Sequence, residues 1–114
     1  MAGIEEYASK FKELFEKAKE KMPEVATWNK VYQIVVPGVG EFYIEISGGE
    51  LKIEGGKHPN PIATLETDEE TLSKILSGEM DAMRAFMARK LKITGNVIDT
   101  VNLKRIIDVG LGKE

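Results

Sequence analysis

Few side chains in these 114 residues could carry a reaction. The single histidine, His58, lies in Lys57-His58-Pro59-Asn60-Pro61, a proline-bounded loop with no Asp, Glu or Ser beside it to orient the ring or relay a proton. There is no cysteine, which excludes thiol catalysis, disulfides and thiolate metal sites. Gly38-Val39-Gly40 opens like a dinucleotide-binding loop, but the third glycine is missing. The residues that follow, Glu41-Phe42-Tyr43, read as a strand, where pyrophosphate requires a helix N-terminus. A hairpin turn explains it better. Asp68, Glu69 and Glu70 suit the start of a helix, where carboxylates complement the dipole. Ser47 and Ser77 flank turns, and neither sits in a nucleophile elbow. The chain is therefore expected to be no enzyme, with no catalytic residue, metal or cofactor.

What stands out instead is apolar. Met80, Met83 and Met87 fall within eight residues, beside Phe86. Methionine is flexible and polarisable, so such a cluster suits a wall that adapts to the shape of an apolar guest. Core packing explains any single one of them equally well. The elements that must position them follow from periodicity. Between Ile4 and Met22 the apolar residues Ile4, Tyr7, Phe11, Leu14, Phe15, Ala18 and Met22 form one stripe at helical spacing, and Pro23 ends the helix. The period then drops to two. Val31–Val36 is rich in β-branched residues, Glu41–Ser47 alternates with Phe42, Ile44 and Ile46 on one face, and Leu51–Glu54 repeats the alternation. Glycines join these three strands into an antiparallel meander. Ile62–Thr67 reads as a fourth strand.

Thr67 or Asp68 can cap a short helix carrying Leu72, Ile75 and Leu76 and ended by Gly78, and Asp81 a second one carrying Met83, Phe86 and Met87. Leu91-Lys92-Ile93-Thr94 reads as a fifth strand. Gly95-Asn96 turns into a final helix with Val97, Ile98, Val101, Leu103, Ile106 and Ile107. The fold class is α+β, a five-stranded, mainly antiparallel sheet covered on one face by helices, in a single domain over 1–114. Tyr32 and Tyr43 are expected to face water, and Trp28 to plug the junction of helix and sheet, with a place in the wall of an apolar cavity as the alternative.

Residues 78–96, with Gly78, Met80, Ala85, Phe86 and the run Leu91-Lys92-Ile93-Thr94-Gly95-Asn96, resemble the type 2 sterol carrier proteins, also called nonspecific lipid-transfer proteins. Thr67-Asp68 with Leu72 and Leu76 fits the acidic-capped helix of that family, and the upstream elements come in the family's order. The resemblance implies helices and a five-stranded sheet enclosing an apolar tunnel for fatty acyl chains, acyl-CoA, phospholipid or sterol. The candidate lining comprises Phe11 and Phe15 of the first helix, Ile34, Phe42, Ile44 and Ile46 of the sheet, and Met80, Met83, Phe86 and Met87. Val97 and Val101 stand near positions where the family often has methionine, a change that alters tunnel width.

Arg84, Arg89, Lys90, Lys92, Lys104 and Arg105 concentrate where only Asp99 opposes them, and all three arginines of the chain are among them. Arg84, Arg89, Lys90, Lys104 and Arg105 are candidates to meet a lipid head group or an anionic membrane surface. A solvated cationic face is the plainer reading. Nucleic acid is not an expected partner, because the net charge is −3 and the basic patch lacks interleaved aromatics. No apolar run approaches the span of a bilayer, and no signal peptide is evident at the N-terminus, so a cytoplasmic location is expected. The expected partner is a lipid or fatty acyl ligand. The competing reading is an interaction or dimerisation module, with a homodimer partner or the chain's own helix filling the apolar groove.

Overall fold

The computed structural model describes residues 3–113. Its elements run α1 (Ile4–Lys19), a 3-10 turn (Pro23–Thr27), β1 (Asn29–Val36), β2 (Gly40–Ser47), β3 (Glu50–Gly55), β4 (Ala63–Thr67), α2 (Glu69–Ser77), α3 (Ala82–Met87), β5 (Leu91–Gly95) and α4 (Thr100–Gly110). The five strands form one sheet in the order β3-β2-β1-β4-β5. Three of its pairings are antiparallel, and the central one, β1 with β4, is parallel, with Tyr32 opposite Ala63 and Ile34 opposite Leu65. The sheet is thus mixed, and open at β3 and β5.

Local chemistry accounts for most boundaries. The β2–β3 hairpin turns on Gly48 and Gly49, both at positive φ (60° and 77°), as a two-residue type I′ loop requires. Asp68 caps α2 by accepting from the Thr71 amide at 2.7 Å. Thr67 does not close a capping box, because its hydroxyl donates to the Lys90 carbonyl instead. Asp81 caps α3, accepting from the Met83 and Arg84 amides. The last helix is shorter than its apolar period suggests. Val97 and Ile98 lie in the turn before it, and α4 begins at Thr100.

One sheet face carries the core. Tyr32, Ile34 and Val36 of β1 and Phe42, Ile44 and Ile46 of β2 all point into it and are almost wholly buried. α1 covers this half, stacking Tyr7 on Phe42 and setting Phe11 edge-on to the same ring. On the other face, Gln33 is buried by the segment that crosses from β3 to β4. Its Nε2 donates to the carbonyls of Gly56 and Phe42, and its Oε1 accepts from the His58 amide at 2.9 Å. That one amide side chain fastens the crossover, and with it the parallel β1–β4 pairing. His58 rests edge-on against Tyr43, and its Nδ1 accepts from the Asn60 amide.

α1 packs along α4, and the crossing is close enough to exclude any side chain at Gly110. A Cβ placed there would stand 2.4 Å from the Leu14 carbonyl oxygen and 2.8 Å from Leu14 Cα. Both contacts are backbone, so neither can swing aside. Alanine ordinarily stabilises a helix over glycine by about 1 kcal/mol. Here the overlap outweighs that gain, and Gly110→Ala is expected to destabilise the protein by about 2–3 kcal/mol, read from urea midpoints. A midpoint that rises would refute the close crossing.

Candidate functional site

The half of the sheet that α1 leaves uncovered holds a cavity of about 120 Å³. Ile34 of β1, Leu65 and Thr67 of β4, and Leu91 and Ile93 of β5 make its floor. Phe11 of α1 with Leu72 and Ile75 of α2 closes the inner end. The roof is α3, through Ala82, Met83 and Phe86, and α4 with the turn before it, through Val97, Thr100, Val101, Leu103, Lys104 and Ile107. The cavity is a cleft, open on one side, and not an enclosed tunnel. Its rim is apolar and wet: Met83, Phe86, Val97 and Val101 are 38–53% exposed. Two further apolar side chains stand outside it, Met87 at 75% exposure and Ile98 at 85%.

Three polar side chains border the cleft, and each is already engaged. The Thr67 hydroxyl donates to the Lys90 carbonyl at 2.9 Å, and the Thr100 hydroxyl to the Val97 carbonyl at 2.6 Å. Lys104 bridges α3 to α4, its ammonium 3.2 Å from Asp81 and also bonded to Asp108. Hydrogen bonding to Asp108 leads in holding the ammonium above its usual lysine range. No polar group is left asking for a partner, so the cleft favours apolar atoms over water.

Two local devices shape the opening. α3 has only six residues and buries only Ala85, so it rests lightly on β5. It ends with Arg89 at φ +62°, a left-handed conformation, while the Lys90 amide bonds back to the Ala85 carbonyl. The opposite lip depends on Thr94-Gly95-Asn96. Gly95 has φ +91°, and a Cβ there would lie 2.8 Å from the Ile62 carbonyl oxygen. The Asn96 amide donates to that same oxygen, and the Asn96 side chain accepts from the Asp99 amide. These bonds are the physical content of the Leu91–Asn96 motif.

Asp99 fixes the lip to the sheet. Its two oxygens accept from the Tyr32 hydroxyl at 2.6 Å and the Lys30 ammonium at 2.9 Å. Tyr32 therefore does not face water; it is fully buried, and burial, reinforced by Asp99, raises its pKa. Burial alone pushes the Asp99 carboxyl upward, but the bonds from Lys30 and Tyr32 outweigh it and hold the carboxyl below its ordinary range.

Of the expected lining, Phe11, Ile34, Met83, Phe86, Val97 and Val101 meet at the cleft. Phe15, Phe42, Ile44 and Ile46 do not; they are fully buried in the solid half of the core beneath α1. Met83 and Phe86 of α3 face β4 and β5, not β2. Met80 borders a separate surface groove on the far side of α3, and Met87 points outward. Leu65, Leu72, Leu91 and Ile93 also line the cleft; periodicity marks them only as core or strand residues, since it gives burial without saying what is buried against what. Nor is Asp99 the sole acid near the basic residues. Lys104 pairs with Asp81 and Asp108, Arg105 reaches Glu24 at 2.8 Å, and Asp99 is committed to Lys30 and Tyr32. Among the described residues, Arg84, Arg89, Lys90 and Lys92 form no ion pair.

Comparison with known proteins agrees with this fold. The family model described as the SCP-2 sterol transfer family matches residues 11–108. No curated protein sequence matches the chain. Among solved structures, a UbiJ-SCP2 ubiquinone synthesis protein superposes with a TM-score of 0.69 at 15% identity, covering 96% of this chain and 95% of that one. Sterol carrier protein domain 2 of Helicoverpa armigera gives 0.66 at 23% identity, with 95% and 91% covered. The sec-alkylsulfatase Pisa1 from Pseudomonas sp. gives 0.67 at 15% identity over 75% of this chain, which spans only 14% of that enzyme's length. At these identities the superpositions establish the fold alone.

Asp99→Asn removes the charge that Lys30 and Tyr32 share and should cost about 2 kcal/mol at pH 7. The native carboxyl has a depressed pKa, so its contribution is full above the ordinary carboxylate value of 3.8 and is lost as pH falls through the folded value. The deficit of the variant relative to the native chain should therefore shrink on acidification below about pH 4. Urea melts at pH 7 and pH 3 check this, and a deficit that does not depend on pH would refute it.

Proposed function

We propose, for a chain that belongs to the SCP-2 sterol transfer family, that the cleft beneath α3 and α4 holds the apolar tail of a lipid and that the protein is a carrier, not a catalyst. The observation that carries this reading is a cleft lined by aliphatic and aromatic side chains whose few polar neighbours already have partners. Such a site offers apolar contact and nothing that would activate a substrate.

Volume narrows the ligand class. A cavity of roughly 150 Å³ accepts a benzene ring, so the cleft as it stands, at about 120 Å³, encloses a short stretch of chain. A flexible acyl chain fits best, entering as a few carbons and extending along the open rim. At about 0.8 kcal/mol per methylene, four or five enclosed groups contribute only about 3–4 kcal/mol. Micromolar affinity needs about 8 kcal/mol. The rest must come from the rim side chains and from widening of the cleft. The wall that can yield is α3, because it is short and held chiefly by the Asp81–Lys104 pair and Ala85.

Native mass spectrometry of the protein purified from cells should show co-purifying acyl species; a ligand-free dimer would favour the interaction-module reading instead. A charge at the rim supplies the second test. Val101 is 53% exposed, so Val101→Glu leaves the core intact while setting a carboxylate beside an entering fatty acid. Displacement of a fluorescent fatty acid should show affinity at least tenfold weaker in this variant. Equal affinity would place the ligand elsewhere.

A further inference from the structure

All six large apolar side chains left exposed among the described residues fall between positions 83 and 101. Four of them rim the cleft, but Met87 and Ile98 do not line it, and a guest chain in the cleft would leave both in water. Charge is sorted in the same stretch. Residues 82–98 contain four of the sixteen cations, Arg84, Arg89, Lys90 and Lys92, and none of the nineteen acids, so the other 97 residues carry a net charge of −7. Arg84 and Lys90 border the open groove on the far side of α3, together with Lys74 and Lys113. Acids do lie near the patch: Glu79 and Asp81 border the same groove, Glu66 stands opposite Lys92 in the β4–β5 register, and Asp68 lies in the field of Lys90, while Asp81 and Asp99 are held by Lys104 and Lys30. Arg89 adopts a left-handed conformation that glycine would occupy more cheaply, which points to a use for its side chain.

From this arrangement we infer that the lip of the cleft is a docking surface for an anionic lipid bilayer. Met87 and Ile98 enter the interface while Arg84, Arg89 and Lys90 meet phosphate head groups. Apolar side chains bordered by unpaired cations are what such an interface rewards. The strongly acidic remainder of the molecule is then repelled from the membrane, which orients the mouth toward the lipid. A protein partner is less well matched, since nothing in the patch but its charge selects a partner, and that charge selects for an anionic surface. Docking here rests on the lipid reading of the cleft, whose mouth would open onto the source of its guest.

Co-sedimentation with phosphatidylcholine vesicles, with and without 30% phosphatidylserine, tests it. The protein should bind the anionic vesicles, and 0.5 M NaCl should largely release it. Arg89→Glu with Lys90→Glu should weaken binding about thirtyfold or more, and Met87→Ser with Ile98→Ser about tenfold or more. These positions are exposed, so urea midpoints should hold; the serine pair should also keep wild-type affinity for a fluorescent fatty acid. Equal binding to neutral and anionic vesicles, or variants that sediment like wild type, would overturn the inference. So would a dimer that the serine pair abolishes in a protein that ignores vesicles. Vesicle binding by a protein that takes up no fatty acid would sink the carrier reading and leave docking standing.

Discussion

α4 is held at both ends, and the rest of the site follows from that. At its C-terminal end Gly110 lies against the backbone of Leu14, closer than any side chain would allow. Before its first turn, Asp99 is tied to Tyr32 and Lys30 of the central strand. A helix anchored in this way cannot settle onto the sheet to fill the space beneath it. Apolar side chains without packing partners forgo contact energy, and the cleft, at about 120 Å³, is such a gap. Collapse would recover that energy, and the anchors prevent it. An apolar guest recovers it without moving them.

The two halves of the sheet divide the work of the core. Beneath α1, Phe15, Phe42, Ile44 and Ile46 pack solid and provide stability. Over β4 and β5 the cover is α2, α3 and α4, all short, and it leaves the floor partly open. Met83 and Phe86 on the shortest helix complete the roof. A long, rigid helix in the place of α3 would close the site. Its brevity is therefore part of the site's construction.

Much of this was legible in the sequence, because its causes are local. The period of each strand, the caps at Asp68 and Asp81, the stop at Gly78 and the turn at Gly95 each depend on residues within a few positions of one another. The resemblance at residues 78–96 pointed to the family whose model matches residues 11–108. What stayed hidden depends on distant pairing. The parallel β1–β4 register is held by Gln33 reaching Gly56 and His58, more than twenty residues on. Asp99 meets Tyr32 and Lys30 from 67 and 69 residues away, and Arg105 meets Glu24 from 81. Alternation marks Phe42 and Leu65 alike as inward-facing. Only the strand order shows that one lies under α1 and the other under the cleft.

The same distance argument explains why the basic cluster changed its meaning. In one dimension six cations faced a single acid. In three, Lys104 and Arg105 are structural, joining α3 to α4 and α4 to the 3-10 turn, while Arg84, Arg89, Lys90 and Lys92 form no ion pair among the described residues. The structure thus separates cations that hold the roof from cations that face outward, and the outward set coincides with the exposed apolar lip. Folding stability accounts for the first set through named partners. It does not account for the second, nor for Ile98 and Met87 in water, nor for an arginine held at positive φ. Features that cost stability, gathered within one stretch of the chain, call for a contact outside it.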